Sequence, residues 1–135
     1  MYRSTRRVRV LVIEDEPSLR EALSELLMCE GYEPCLAVHG RDAIEQLESG
    51  ARPDVIVSDL MMPVMDGWQL IRELQDHAAW RSIPIVILSA CDNAKVLQNG
   101  AIAVLQKPMD VGCLLETLTR AVGRKRSSSG TEEAS

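Results

Sequence analysis

Asp59 ends the apolar run Asp54-Val55-Ile56-Val57-Ser58 and opens the stretch Leu60-Met61-Met62-Pro63-Val64-Met65-Asp66-Gly67. A carboxylate at the point where a buried strand breaks into a loop is costly to hold charged and alone. Two other apolar runs also end in ionic groups. Val10-Leu11-Val12-Ile13 meets Glu14-Asp15-Glu16, and Ala101-Ile102-Ala103-Val104-Leu105 passes through Gln106 to Lys107-Pro108. Carboxylates converging from two strand ends repel unless a positive charge lies between them. An oxygen-ligated divalent cation of the magnesium type meets that need with one or two carboxylates, a carbonyl and several waters. A carboxylate fixed beside such a cation and a lysine can attack phosphorus, because both offset charge on the transferring oxygens and the fixed position supplies orientation. The product is an acyl phosphate, whose oxygens a hydroxyl such as that of Ser89 can hydrogen-bond and follow.

The elements that must position these groups are legible as five βα units. Apolar runs of strand length occur at Val10 to Ile13, Tyr32 to Val38, Val55 to Ser58, Ile83 to Ser89 and Ala101 to Leu105. A first helix is predicted from Pro17, which suits the N1 position, with Leu19, Ala22, Leu23, Leu26 and Leu27 on one face and a stop at Gly31. A second runs from about Arg41 with Ala43, Ile44 and Leu47 inward and stops near Gly50. The third starts near Asp66 or Gly67 and turns Trp68, Ile71 and Leu74 inward. The fourth, Asn93 to Gln98, is under two turns and marginal. Asp110 caps a fifth carrying Val111, Leu114, Leu115, Leu118 and Val122.

Near-continuous apolar strands alternating with helices predict an α/β fold. It is a doubly wound, five-stranded parallel sheet covered on both faces, with right-handed crossovers. Such sheets bind ligands beyond the carboxyl ends of the strands, where strand order reverses. Glu14, Asp15, Asp59, Ser89 and Lys107 all fall at those ends.

Composition narrows the function classes. At 135 residues and 46% hydrophobic, one domain can bury a core without metal or disulfide staples. Three segments are expected: a basic extension at 1–7, a folded domain at 8–124 and a disordered tail at 125–135 that lacks an apolar anchor. The net charge of −5 conceals an acidic body, since residues 10–123 carry 8 basic against 18 acidic side chains. Such a body repels phosphate backbones, so no direct nucleic-acid contact is expected. Cys29, Cys35, Cys91 and Cys113 have no metal-ligand spacing and read as small core residues in a reducing cytosol. His39 and His77 match no motif and are expected at the surface. No apolar run approaches the roughly 20 residues of a membrane span, and a soluble cytoplasmic protein is expected.

Ile13-Glu14-Asp15-Glu16-Pro17, Asp59 through Gly67, Leu88-Ser89-Ala90 and Lys107-Pro108, in that order, resemble the response-regulator receiver domain of two-component signalling. The resemblance covers about residues 8 to 124 and implies a flavodoxin-like strand order of 2-1-3-4-5. It implies that Asp59 accepts the phosphoryl group and that Glu14 and Asp15, with Asp59 and the Met61 carbonyl, serve Mg2+. Ser89 is then the hydroxyl switch and Lys107 the partner of the phosphoryl group. Pro108 would follow Lys107 through a cis peptide, a form nearly confined to proline. The implied partners are a sensor histidine kinase or phosphotransfer protein, a downstream protein target and a second copy of the chain in a homodimer. The implied role is a signalling phosphoacceptor, which assists only its own phosphorylation and dephosphorylation and is not an enzyme.

The chain departs from the family pattern in three places. Val104 stands where the family places an aromatic residue three positions before the lysine, and the chain contains no Phe. The interval from Ser89 to Lys107 is shorter than usual by about one helical turn. The surface of the fourth helix, fifth strand and fifth helix is therefore expected to be remodelled, with output through the loops around Asp59 and Ser89 or another face. Met61 and Cys91 occupy the two positions that orient attacking water in the family, and neither is a good acid or amide, so a slowly hydrolysed acyl phosphate is expected. An aspartyl phosphatase would carry DxDx(T/V) after the first strand, where this chain has Glu-Asp-Glu. A receiver-like scaffold that binds partners without phosphorylation is the other alternative, suggested by Val104 and the short fourth helix. The chain either acts by protein contact or is a fragment whose tail begins a linker.

Overall fold

The computed structural model describes residues 7–90, 100–108 and 110–134, with side chains through residue 123. Five strands, β1 (Arg9–Ile13), β2 (Glu33–Ala37), β3 (Val55–Asp59), β4 (Ile85–Ser89) and β5 (Ala103–Gln106), form one sheet in the order β2-β1-β3-β4-β5. Every pairing is parallel. Among the described residues four helices cover it: α1 (Pro17–Cys29), α2 (Gly40–Glu48), α3 (Gly67–Asp76) and α4 (Val111–Ala134). The predicted fourth helix at Asn93 to Gln98 lies outside the described residues, as does Cys91.

Successive side chains of a strand point to opposite faces, and here both faces are buried, so alternate residues sort into two cores. Leu11, Ile13, Ile56, Ile85 and Ile87 pack with Ala43, Ile44, Leu47, Leu70, Ile71 and Leu74 under α2 and α3. Val10, Val12, Val55, Val57, Val86 and Leu88 pack with Leu23, Leu27, Leu114, Leu118 and Val122 under α1 and α4. Burying each of these side chains contributes on the order of 2 kcal/mol, enough to hold strand ends against the repulsion of the charges they carry.

The helix ends follow local chemistry. Pro17 opens α1 behind Glu16, whose carboxylate accepts from Leu19 N at 2.7 Å. Gly31, at φ 89°, closes α1 with Tyr32 N donating to Leu27 O and Gly31 N to Met28 O, a Schellman arrangement. Asp66 and Gln69 form a reciprocal capping box at α3. Asp110 Oδ1 accepts from Gly112 N and Cys113 N at the start of α4.

Several expectations are corrected. α4 continues to Ala134, so residues 125–134, expected as a disordered tail, carry helical backbone. Once the packed turns of a helix exist, each further residue adds a hydrogen bond without a new nucleation step. Cys29 and Cys113, expected in the core, are exposed, because Leu23, Leu27, Leu114 and Leu118 occupy the inward faces of their helices. Leu70 joins Ile71 and Leu74 as the buried face of α3, and Trp68 is only half-buried. Val111, among the apolar residues that the helix carries, is exposed at the start of α4. His39 is half-buried and caps α2, its Nδ1 accepting from Asp42 N at 3.1 Å. His77 is exposed, as expected, and stacks on the buried Trp80 ring at 3.6 Å.

The loop between β3 and α3 contains one strained residue. Val64 has φ 68°, and Met65 N donates to Pro63 O at 2.7 Å around it, closing a γ-turn. A β-branched residue in the left-handed region costs about 1–2 kcal/mol, whereas glycine there loses about 0.4–1 kcal/mol through unfolded-chain entropy. Val64 is 71% exposed and forfeits little packing. Val64→Gly is expected to raise stability by about 0.5–1 kcal/mol in urea denaturation. A loss of stability would show that this turn is not strained in solution.

Candidate functional site

The order of strands reverses at β1, whose neighbours are β2 and β3. The crevice therefore opens beyond the carboxyl ends of β1 and β3, where Glu14-Asp15 and Asp59 emerge. Glu14 continues the β1 backbone line by donating its N–H to Ala37 O at 3.1 Å. Its side chain is 1% exposed, and Oε2 accepts from Glu16 N at 3.1 Å. Asp15 is exposed, and Asp59 is buried at 8% exposure.

Backbone bonds lock the Asp59 end of β3. Leu60 N donates to Leu88 O at 2.9 Å and Gly67 N to Leu60 O at 2.7 Å. A Cβ at residue 67 would lie 2.9 Å from Leu60 Cα and 3.1 Å from Asp59 O, so only glycine permits this approach. Gly40 N donates to Met65 O, which ties the start of α2 to the same loop. Met61 lies on that loop with its side chain 69% exposed.

The other two strand ends are joined to each other. Ser89 and Gln106 are register partners, and Lys107 N donates to Ser89 O at 2.7 Å. Ser89 is buried, at 4% exposure. The peptide between Lys107 and Pro108 is cis, as the resemblance implies. Lys107 extends its ammonium into the crevice, 3.2 Å from Asp59 Oδ2 and 3.5 Å from Glu14 Oε1.

Glu14, Asp15, Asp59 and Lys107 thus meet in one crevice, while Glu16 turns to cap α1. Carboxylate oxygens of Glu14, Asp15 and Asp59 lie within 4.8 Å of one another. Buried Glu14 Oε1 accepts no hydrogen bond among the described residues and has lysine alone as its near counter-charge. Oxygen donors of this kind, with one buried oxygen unmatched, fit a hard divalent cation with retained waters. Sequence reasoning missed Arg20 of α1, whose Nη1 donates to Glu14 O at 2.8 Å. Its signal was present, since a cation near the start of a helix is disfavoured by the macrodipole and calls for another reason.

Burial raises the Glu14 pKa above its ordinary 4.5; the Glu16 N–H bond and Lys107 oppose the rise, and Asp59 and Asp15 add to it. A carboxyl with a raised folded-state pKa binds its proton more tightly in the folded chain. Its contribution to stability is therefore present at low pH and lost as pH rises through the window above 4.5. In chelator-treated protein, Glu14→Gln is expected to be more stable than the native chain at pH 7, with the gap closing as pH falls toward the ordinary carboxyl range. Denaturant titrations across pH check this; a Gln variant less stable at pH 7 would contradict it.

Residues 10–119 match the family described as response regulator receiver domain. Response regulator Rre1 of Synechocystis sp. is 32% identical over 134 residues, covering 94% of this chain and 58% of that protein. Transcriptional regulatory protein PcoR of Escherichia coli is 35% identical over 127 residues, covering 91% of this chain and 55% of that protein. The chain spans just over half the length of these curated relatives. Among solved structures, the signal receiver domain of a signal transduction histidine kinase from Syntrophus aciditrophicus superposes with a TM-score of 0.80 at 32% identity, covering 86% of this chain and 90% of that one. Chemotaxis response regulator CheY4 of Vibrio cholerae gives 0.78 at 33% identity, covering 86% and 99%. With its strand order, its convergent carboxylates and lysine, and these matches, the chain belongs to the response-regulator receiver domain family.

Proposed function

We propose that this domain accepts a phosphoryl group on Asp59 from a sensor histidine kinase or phosphotransfer protein and signals through altered protein contacts. The observation that carries the reading is the Asp59 carboxylate, buried yet held 3.2 Å from the Lys107 ammonium and beside Glu14 and Asp15. An Asp59 oxygen attacks phosphorus, the bond from phosphorus to the donor imidazole nitrogen breaks, and that nitrogen takes the electron pair. Lys107 transfers its ammonium from the two carboxylates to the new phosphoryl oxygens, and the Ser89 hydroxyl donates to one of them. Glu14, Asp15, Asp59 and the Met61 carbonyl hold Mg2+, which supplies charge neutralisation to the transferring oxygens.

Contact with nucleic acid is not assigned to this body, whose 18 acidic side chains outnumber 8 basic ones over residues 10–123. The downstream target is a protein. Val104, at the usual aromatic position, is half-buried and packs against the core beneath α2 and α3. A switch there moves less volume than an aromatic side chain would. The Met61 thioether, solvent-facing beside Asp59, cannot activate water, which supports a long-lived acyl phosphate.

Incubation with a small acyl phosphate and Mg2+, read by intact mass, tests the reading. The native chain is expected to gain one phosphoryl group and Asp59→Asn none, with the adduct persisting after the donor is removed at neutral pH. No gain in the native chain would favour a scaffold that binds partners without phosphorylation.

A further inference from the structure

Glu14 is held at each of its polar groups. Its N–H donates to Ala37 O, its Oε2 accepts from Glu16 N, its Oε1 faces Lys107 and its carbonyl accepts from Arg20 Nη1 at 2.8 Å. Three of these holds come from the β1 end, its neighbour strand and the β5 end. The fourth comes from a half-buried side chain on the first turns of α1, where the helix dipole opposes a positive charge.

The Glu14 carbonyl belongs to the peptide that leads into Asp15. Fixing that oxygen sets the plane of the peptide and so the direction from which the exposed Asp15 carboxylate enters the cluster with Asp59. A small cation that demands near-ideal octahedral geometry is sensitive to such aim. The guanidinium bonds the backbone oxygen of Glu14, so its hold acts on the peptide.

We propose that Arg20 is a positioning residue for the cation site: its guanidinium, bonded to the Glu14 carbonyl, aims the Glu14-Asp15 turn so that both carboxylates and Asp59 converge on one ion. The inference rests on the reading of that cluster as a Mg2+ site. Removing an outer partner of metal ligands weakens affinity by about 10–100-fold.

The test is calorimetric titration of the full, unphosphorylated chain with MgCl2, for the native protein, Arg20→Met and Arg20→Lys, alongside thermal melting in chelator. Methionine keeps an apolar stem over the helix and removes the donor; lysine restores a charge-assisted donor to the carbonyl. Arg20→Met is expected to bind Mg2+ about tenfold more weakly, and Arg20→Lys within about threefold of native. Both variants should melt close to the native chain without metal. An Arg20→Met affinity within twofold of native would overturn the role given to Arg20 while leaving the metal site intact. A lysine variant as weak as the methionine one would overturn it too. A native chain that takes up no Mg2+ would overturn the site itself and the role of Arg20 with it.

Discussion

The Lys107 ammonium between Glu14 and Asp59 is the interaction on which the arrangement depends. Three carboxylates whose oxygens lie within 4.8 Å of one another repel, and two of them are buried. One ammonium, at 3.2 Å and 3.5 Å from two of those oxygens, offsets part of that repulsion. It leaves Glu14 Oε1 without a hydrogen bond, and Glu14 holds its proton more readily than an exposed glutamate. The crevice is thus poised for additional positive charge, which the proposed Mg2+ would supply.

The sheet makes this poise tolerable. Glu14, Asp59, Ser89 and Lys107 belong to or immediately follow four adjacent strands, each clamped between two cores by alternate side chains. Repulsion at the strand ends cannot be relieved by drifting apart without breaking that packing. Additional constraints lie in the loops: the close approach of Gly67 to Leu60, the γ-turn at Val64, the tie from Gly40 to Met65 and the bond from Lys107 N to Ser89 O. The backbone of the loop between β3 and α3 thus ties the Asp59 end of β3 to the starts of α2 and α3.

Much of this was legible in the sequence because it is local. Apolar runs ending in charge marked the strand ends, Pro17 and Gly31 bracketed α1, and Asp66 marked the start of α3. The crevice followed from parallel-sheet geometry once those ends were placed. What was not legible depends on contacts distant in sequence. Arg20 stands against the dipole at the start of α1, but its partner, the Glu14 carbonyl, shows only once α1 docks against the β1 end. Leu70 packs inward in the core under α2 and α3, and the outward place of Cys29 and Cys113 follows from leucines that fill the inner faces of their helices. Residues 125–134 offered no apolar anchor, and their helix continues from the packed turns before them. The strain at Val64 is a property of the turn, which residue type alone argued against.

On the proposed function, one crevice built from the ends of β1, β3, β4 and β5 binds cation and phosphoryl group together. A crystal structure of the chain with Mg2+ and a phosphoryl analogue tests it most directly. The account predicts an ion in contact with the carboxylates of Glu14 or Asp15 and of Asp59, the analogue on Asp59, and the Lys107 ammonium moved from the carboxylates onto the analogue. A cation and analogue bound elsewhere, with the pairs from Lys107 to Glu14 and Asp59 unchanged, would contradict it.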